Sequence, residues 1–195
     1  MTNCYYRLQD LFDDIKDQDV FIYARQANKG YTFHYCDSLE YFIEPYNQME
    51  ECDKILYEIF QENVKSDDFF DIDIDIRGKR EVYEKYGKWG ITPADVYNEF
   101  MNLMASFQWD VLNQFIITEW CVLDASDVNG KTSLHLMNKT NHFKNIQDMK
   151  QYYGLLKQYV DNNKDNYMYM KYIDFGICTK NRCMRMIGSH KLKYP

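Results

Sequence analysis

The stretch FFDIDIDI, residues 69–76, alternates apolar and acidic residues with a strict period of two. Successive side chains of a β-strand point to opposite faces, so this alternation predicts a strand with one apolar face and one acidic face. The apolar face, turned toward a core, holds Phe70, Ile72 and Ile74. The acidic face holds Asp71, Asp73 and Asp75.

Three like charges on one strand face repel each other, and two interpretations explain why a chain keeps them. One is a site for one or two divalent cations, which prefer hard carboxylate oxygens as ligands. The other is a solvated outer face of a sheet, where acidic residues prevent aggregation. Considered alone, the stretch somewhat favours the solvated face, because many sheets have a charged outer face.

Length and composition predict one soluble globular domain. The chain has 195 residues, of which 46% are hydrophobic, and its mean hydropathy is -0.61. It contains no apolar run long enough to span a bilayer, and its first residues do not resemble a secretory signal. Six scattered cysteines without metal-ligand spacing favour free thiols over disulfides or zinc. We therefore expect an intracellular, reducing location and no membrane partner.

The net charge of -7 and the pI near 5.1 argue against extensive nucleic-acid binding, which usually needs a basic surface. The distribution of charge is uneven, however. Residues 171–195 contain one acidic residue, Asp174, and these basic ones: Lys171, Lys180, Arg182, Arg185, Lys191 and Lys193. An acidic body with one local basic patch is compatible with this pattern.

The first third of the chain reads as an N-terminal α/β unit, residues 1–66. Apolar spacing predicts a helix over 5–15, and two strands joined by a turn over 19–25 and 31–36. The segment 49–64, MEECDKILYEIFQENV, has the spacing of an amphipathic helix.

The remainder, 67–195, predicts the order β-α-β-β-α-β. After the opening strand, a helix follows Thr92, a plausible N-cap, with Pro93 at its first position. The later elements are strands over 115–123 and 131–138, a helix over 146–160, and a strand over 168–177. This order is that of the ferredoxin-like unit, in which two helices cover one face of a four-stranded antiparallel sheet.

In that topology the first and third strands are central and neighbouring, and the fourth flanks the first. The uncovered face then gathers side chains from three strands: Asp71, Asp73, Ser133, His135 and Asp174. Carboxylates from adjacent strands on one open face suit two-metal nucleotidyl transfer, with a histidine and basic residues neutralising a triphosphate. Singly, each of these residues is more often an ordinary strand or surface residue, and their joint placement carries the prediction.

Three short motifs together resemble those of the archaeo-eukaryotic primase superfamily. They are Asp-hydrophobic-Asp in 69–75, Ser-x-His in 131–136, and hydrophobic-Asp in 172–177. The stretch 172–191, YIDFGICTKNRCMRMIGSHK, is similar to the eukaryotic primase-polymerase (PrimPol) and to primase domains of large DNA viruses, including the poxvirus primase-helicase. Residues 28–42 are also similar to the N-terminal module of PrimPol. A metal-dependent nuclease or a DxD glycosyltransferase explains only the first motif.

The resemblance implies a role for each matching residue. The ligands of Mg²⁺ or Mn²⁺ are Asp71, Asp73 and Asp174, with His135 completing the catalytic set. Nucleotide contacts come from Lys131, Ser133, His135, Arg182, Arg185, Ser189 and Lys191. Asp75 lies outside the usual pair, either supporting the site or simply exposed.

The implied fold is the α/β (α+β) primase fold, with an RRM/ferredoxin-like catalytic sheet and an N-terminal α/β unit in a single domain, 1–195. The implied function is that of a DNA-directed primase/polymerase catalytic core that uses nucleoside triphosphates, a single-stranded DNA template and a primer. The alternative is a weakly catalytic nucleotide- or DNA-binding module of a replication primase-helicase assembly.

The sequence departs from its relatives in one respect, because PrimPol and viral relatives carry a cysteine/histidine zinc module after the catalytic core and this chain shows none. A helicase or zinc-binding domain, in the same or another chain, is therefore an expected partner. Primer initiation is less supported than nucleotide addition. The viral resemblance and the AT-rich imprint of the composition favour a large DNA virus, active in host cytoplasm or nucleus.

Overall fold

The computed structural model describes residues 4–16, 18–61, 65–75, 91–126, 131–179, 181–186 and 189. The chain divides into two compact units, the first comprising residues 1–61 and 181–195 and the second residues 62–180. The sequence assigned everything after residue 66 to the second unit, whereas the last strand belongs to the sheet of the first. The interpretation of both units as a single domain stays a prediction.

The described residues form four α-helices and seven strands, which make the chain an α+β protein with antiparallel sheets. The helices are α1 (Leu8–Ile15), α2 (Leu39–Gln48), α3 (Pro93–Asp110) and α4 (Ile146–Asn162). The strands are β1 (Phe21–Ala27), β2 (Gly30–Cys36), β3 (Leu56–Phe60), β4 (Ser66–Asp75), β5 (Trp120–Asp124), β6 (Lys131–Phe143) and β7 (Arg182–Arg185).

The first unit is a four-stranded antiparallel sheet in the order β2-β1-β3-β7, with α1 packed on one face. Leu11 and Ile15 of α1 are buried against Ile22 and Ala24 of β1 and Ile59 of β3. Burying apolar area of this kind is the main favourable contribution to the stability of the unit.

The helix predicted over 49–64 is wrong. Glu51–Asp53 form a single 3-10 turn, and Leu56–Phe60 form the inner strand β3 between β1 and β7. Leu56 and Tyr57 are both buried, as expected for a strand inside a sheet covered on both faces. A short apolar run of this kind fits a buried strand and a helix equally well by periodicity, and tertiary pairing decides the outcome.

Helix α2 was not predicted from the sequence. Its N-cap is Ser38, whose hydroxyl accepts a hydrogen bond from the backbone N–H of Tyr41. Pro45 lies inside the helix, where proline normally removes a hydrogen bond and argues against helix. The Ser38 cap was the available signal for the start of α2.

The second unit contains a three-stranded antiparallel sheet in the order β4-β6-β5 within the described residues. The side chains of Phe70, Ile72 and Ile74 are fully buried, as the alternation predicted. The ring of Phe70 lies 5.0 Å from that of Phe100 in α3 and 4.9 Å from that of Tyr153 in α4. Both helices therefore pack on the apolar face of β4, and the acidic face points the other way.

The predicted start of α3 is confirmed. Thr92 accepts a hydrogen bond from the backbone N–H of Asp95, and the Asp95 carboxylate accepts one from the backbone N–H of Thr92. This reciprocal capping box, with Pro93 at the first helical position, satisfies backbone donors that the helix itself leaves free.

The fourth strand predicted over 168–177 is wrong. Met170–Tyr172 and Phe175–Ile177 form two 3-10 turns, and between them only Ile173 makes a bridge, to Ile72 of β4. The Asp174 carboxylate accepts a hydrogen bond from the N–H of Gly176 and so caps the second turn. Local capping therefore replaces continued strand pairing, although the segment does flank β4 as predicted.

In the described part of the chain, every helix is too short or too polar to cross a lipid bilayer.

Candidate functional site

The register of β4 against β6 brings acidic and basic or hydroxyl side chains together. Three pairs lie directly opposite each other: Asp71 with His135, Asp73 with Ser133, and Asp75 with Lys131. Their side chains share the face of the sheet that points away from α3 and α4, because the residues between them are buried against those helices. We call this set of six residues, with Asp174, the acid face.

Asp73 is neutralised within the acid face. The Lys131 ammonium donates to one carboxylate oxygen at 2.9 Å, and the Ser133 hydroxyl donates to the other. Burial alone would raise the pKa of Asp73, but these two donors outweigh it and hold the pKa below its ordinary value. Asp73 is thus a stable anion with both oxygens engaged.

Asp71 has the opposite environment. Its side chain is 26% exposed, and its Oδ1 atom is buried without any hydrogen-bond donor, 3.6 Å from Nε2 of His135. Burial is the largest cause that raises the pKa of Asp71, and the charges of Asp73 and Asp174 raise it further while His135 lowers it. A buried carboxylate oxygen without a donor is costly, so this atom needs a proton or a cation.

Asp174 reaches the acid face through the backbone. Its N–H donates to the carbonyl oxygen of Asp71 at 2.8 Å, next to the bridge between Ile72 and Ile173. The Asp174 carboxylate is held by the N–H of Gly176, and a Cβ atom at Gly176 would lie 2.9 Å from Asp174 Oδ1. Glycine at 176 therefore allows the turn that places this third carboxylate beside Asp71.

The acid face fits a divalent cation in its donor chemistry. Three carboxylates supply hard oxygens, and the unsatisfied Oδ1 of Asp71 together with the repulsion among the acids favours a positive charge there. Among the described residues, however, no group of three or more His, Cys, Asp or Glu side chains is already arranged to hold a metal. Binding would require Asp73 to exchange its contact with Lys131 for the cation.

Sequence reasoning missed the residues that support the acid face from the side. The strand β4 has a bulge between Asp67 and Phe69, and the hydroxyl of Tyr153 in α4 fills the gap in the pairing. This hydroxyl accepts from the N–H of Phe69 at 3.1 Å and also contacts the carbonyl oxygen of Phe69. The ring of Phe69 lies 5.7 Å from that of His135, so the bulge positions a residue of the acid face.

Asp68, at the bulge, is almost completely buried. Its carboxyl lies 3.0 Å from the Tyr153 hydroxyl, and a hydrogen bond from Asn138 also acts on it. Burial raises the pKa of Asp68 to about 7, although both hydrogen bonds act to lower it. No sequence pattern distinguished Asp68 from its exposed neighbour Asp67, because only the bulge turns it inward.

Of the predicted basic residues, Arg182 and Arg185 lie in the first unit, whereas Lys131 and Lys171 lie in the second. Arg182 and Arg185 are both in β7, and because they are three residues apart their side chains leave opposite faces of the sheet. The Nε atom of Arg185 is buried without a hydrogen-bond partner. The alternating faces mean that the two arginines do not form one cluster within this unit.

Ser189 is tied into the first unit by two hydrogen bonds. Its hydroxyl accepts from the N–H of Leu56 at 3.3 Å and lies 2.8 Å from the hydroxyl of Tyr46. These contacts give Ser189 a role in fixing the end of the described chain against α2 and β3. The remaining predicted nucleotide contact, Lys191, lies outside the described residues, as do Lys180 and Lys193 of the predicted basic patch.

No protein-family model matches the chain, and no curated protein sequence matches it either. The resemblance to the primase superfamily therefore rests on the three motifs and on the residues that the acid face brings together. Membership of that superfamily is a proposal.

Proposed function

We propose that this chain is a nucleotidyltransferase of the primase-polymerase type, which extends a primer on single-stranded DNA with nucleoside triphosphates. The single observation that carries the proposal is the acid face itself. Residues from all three predicted motifs, more than 100 positions apart at the extremes of Asp71 and Asp174, meet on one side of β4 and β6. A merely solvated sheet face does not require Ser133, His135 and Asp174 to converge on the same two acids.

The topology of the second unit supports the finer fold assignment, an RRM/ferredoxin-like primase sheet. Strand β4 is paired to β6 on one side and bridged by Ile173 on the other, and β5 follows outside β6. With the Ile173 segment counted as a reduced fourth strand, the order is that of the ferredoxin-like unit. Helices α3 and α4 pack on the face opposite the acids, as that fold requires.

In the proposed reaction, a 3'-hydroxyl attacks the α-phosphate of the incoming nucleotide and pyrophosphate leaves. Asp71, Asp73 and Asp174 would hold Mg²⁺ or Mn²⁺, which activates the hydroxyl and stabilises the leaving oxygen when bound. The unsatisfied oxygen of Asp71 and the clustering of acids support this assignment.

The neighbouring donors would bind the triphosphate. Ser133 and Lys131 already donate to a carboxylate, an oxygen anion of similar hydrogen-bonding character to a phosphate. When Asp73 turns to a cation, both donors become available for phosphate oxygens. His135, beside Asp71, would contact the same group. Arg182, Arg185, Ser189 and Lys191 remain proposed contacts, to be tested one at a time.

A second candidate is a weakly catalytic nucleotide- or DNA-binding module within a primase-helicase assembly. One observation favours it: Asp73 is fully engaged by Lys131 and Ser133, and no three-ligand metal group is formed among the described residues. In this case the acid face would bind nucleotide without transferring it. The acidic net charge of -7 also predicts weak, salt-dependent DNA binding by the chain alone.

Primer extension distinguishes the two candidates. A labelled primer on a single-stranded template is incubated with Mg²⁺ or Mn²⁺ and each nucleotide set, using the wild type and the Asp71→Asn/Asp73→Asn variant. Extension by the wild type that disappears in the variant supports nucleotidyl transfer. The matched control is Asp75→Asn, which removes one charge from the same strand face and is expected to retain extension.

Two results would contradict the enzyme. If the folded wild type binds nucleotide but does not extend any primer with either metal, the binding module becomes the better description. If the Asp71→Asn/Asp73→Asn variant extends as well as the wild type, the acid face is not the reacting site.

A further inference from the structure

The second unit exposes a group of large apolar side chains within residues 109–122, none of which belongs to the acid face. The most exposed are Ile117 (80%), Trp109 (69%) and Phe115 (68%), and Val111 and Val122 are also exposed. We call these five residues the apolar edge. Of the large apolar residues described in this unit, only Leu155 is similarly exposed elsewhere. Several large apolar side chains exposed within one short stretch of chain are typical of an interaction site.

The apolar edge is held in place by a buried side chain. Gln108, in the last turn of α3, accepts a hydrogen bond from the N–H of Ile116 on its side-chain oxygen at 3.1 Å. Its backbone carbonyl accepts from the N–H of Gln114, also at 3.1 Å. These two bonds hold the backbone of residues 114–116 against the last turn of α3, the turn that contains Trp109. The two hydrogen bonds therefore fix the backbone of this segment relative to α3.

Val122 of the apolar edge belongs to β5, the outermost described strand of its sheet. Strand β5 pairs only with β6 among the described strands. The backbones of Glu119 and Ala125 bond to β6, through Lys139 N–H to the Glu119 carbonyl and Ala125 N–H to the Ser133 carbonyl. In an antiparallel ladder alternate residues point to the partner, so the backbone groups of Trp120, Val122 and Asp124 point away from β6. They are placed to pair with an added strand.

The charge of the residues near β5 indicates which kind of partner this edge binds. Residues 109–126 contain three acids, Asp110, Glu119 and Asp124, and no lysine or arginine. Lys139 of β6 lies 3.8 Å from Glu119. A second copy of the chain would bring the same acids against this edge with no lysine or arginine from residues 109–126 to offset them, so like charges would repel. A basic segment would instead meet opposite charges.

We propose that the edge of β5 with the apolar edge binds an extended segment of another protein, in which apolar residues alternate with Lys or Arg. The segment adds to the sheet as a strand, which is β-augmentation, and its apolar side chains cover Val122, Phe115 and Ile117. The main-chain bonds supply affinity, and the acidic rim selects a basic partner. This binding does not depend on the acid face or on nucleotidyl transfer.

The test uses the full chain, isotope-labelled for NMR, without nucleotide or metal. The probe is a short synthetic peptide alternating valine or threonine with lysine. Two control peptides carry glutamate in place of lysine, or N-methyl groups on alternate backbone nitrogens. We expect saturable binding of the lysine peptide with shifts in the amide signals of β5 and residues 109–122, and at least about tenfold weaker binding of both controls.

Protein variants separate the apolar edge from general attraction between a basic peptide and an acidic protein. Ile117→Asp is expected to weaken binding by at least about tenfold, because a carboxylate would be buried under the peptide. Leu155→Asp, the same change at an exposed position of α4, is expected to leave binding within about twofold.

Four outcomes would overturn the proposal. The first is absence of saturable binding, and the second is binding that falls equally in Ile117→Asp and Leu155→Asp. The third is a concentration-dependent dimer of the chain alone that Ile117→Asp dissociates, which would identify a second copy as the occupant. A lysine peptide that binds as tightly when N-methylated would show that no strand is added.

Discussion

Two carboxyl groups of β4, three residues apart, lie in contrasting settings. At the bulge, Asp68 is enclosed and has hydrogen-bonding partners in Tyr153 and Asn138. On the acid face, Asp71 is more exposed, yet one of its oxygens is buried without a donor. Burial raises the pKa of both groups.

The difference teaches what each carboxyl is for. A buried acid with its partners supplied by the protein is complete, and its role is to fix the bulge. A buried acid with an unsatisfied oxygen and like charges nearby is incomplete, and its cost is offset only when something binds. Asp68 is therefore expected to serve folding and Asp71 to serve binding, and each expectation can be broken separately.

The largest expected effect concerns Asp68 and pH. Because the folded pKa is raised to about 7 from the model-compound value of 3.8, the unfolded chain releases this proton first as the pH rises. The contribution of Asp68 is thus most favourable below the unfolded pKa and is lost between about pH 4 and 7, by at most about 4 kcal/mol. The measurement is the free energy of unfolding from urea titrations across this range.

The control for the Asp68 prediction is Asp68→Asn, which keeps an acceptor for Tyr153 but cannot ionise. The wild-type stability, minus that of Asp68→Asn, should fall from pH 4 to pH 7 and then level off. A difference that stays constant with pH would mean that Asp68 does not hold its proton in the folded protein.

The next effect concerns cation binding at Asp71. Mn²⁺ at about 100 times its dissociation constant should stabilise the wild type by about 2.7 kcal/mol, since it binds only the folded state. Asp71→Asn should lose this stabilisation while being at least as stable as the wild type without metal, because an uncompensated charge is removed. Thermal unfolding with and without Mn²⁺ measures both effects.

Asp68→Asn is the matched variant for Asp71, because it changes the same chemical group on the same strand. Its stabilisation by Mn²⁺ should equal that of the wild type. Equal loss of Mn²⁺ stabilisation in both variants would show that Asp68 and Asp71 do not differ in their contribution to cation binding.

A third effect tests Tyr153, the tyrosine that fills the bulge beside Asp68. Tyr153→Phe removes the hydroxyl that contacts the Phe69 backbone and Asp68, leaving buried polar groups unsatisfied at a cost of about 2 kcal/mol. The control is Tyr159→Phe, whose hydroxyl contacts Asp110 at the surface and should contribute less than about 1 kcal/mol. Chemical denaturation of both variants makes the comparison, and equal costs would remove the special role of the bulge.

The central pairing of the second unit was predictable because its signal is local and periodic. The alternation in 69–76 determined which side chains are buried, and Ser133 and His135 followed from the same rule in β6. Thr92 and Pro93 predicted the start of α3 through backbone chemistry that depends on few neighbours. Short-range patterns of this kind need no knowledge of the rest of the fold.

The errors have other causes: two depend on pairing partners that are distant in sequence, and one depends on a local cap. Leu56–Phe60, within the segment predicted as a helix, form strand β3 because they pair with β1 and β7. Strand β7 comes more than 100 residues later in the sequence. The strand predicted over 168–177 does not form, because the Asp174 carboxylate caps a local 3-10 turn. The burial of Asp68 was not predicted, because a bulge shifts the alternation of buried and exposed residues by one position. The pairing of β3 and the bulge in β4 depend on residues that are distant in sequence, whereas the cap at Asp174 lies within three residues.

The smallest expected effect tests whether cation binding depends on the orientation of the Asp174 carboxylate or only on its presence. Gly176→Ala puts a Cβ atom 2.9 Å from Asp174 Oδ1, so the carboxylate must turn away from its hydrogen bond with the backbone at 176. We expect Mn²⁺ affinity to fall about fivefold, roughly 1 kcal/mol, with all three acids still present. Isothermal titration calorimetry measures the affinity. Gly154→Ala is the control: a Cβ there meets nothing within 4 Å, and alanine should stabilise α4 by roughly 0.5–1 kcal/mol without changing metal affinity. Unchanged affinity in Gly176→Ala would mean that Asp174 does not need its present orientation to bind the cation, and would leave Asp71 and Asp73 as the proposed ligands.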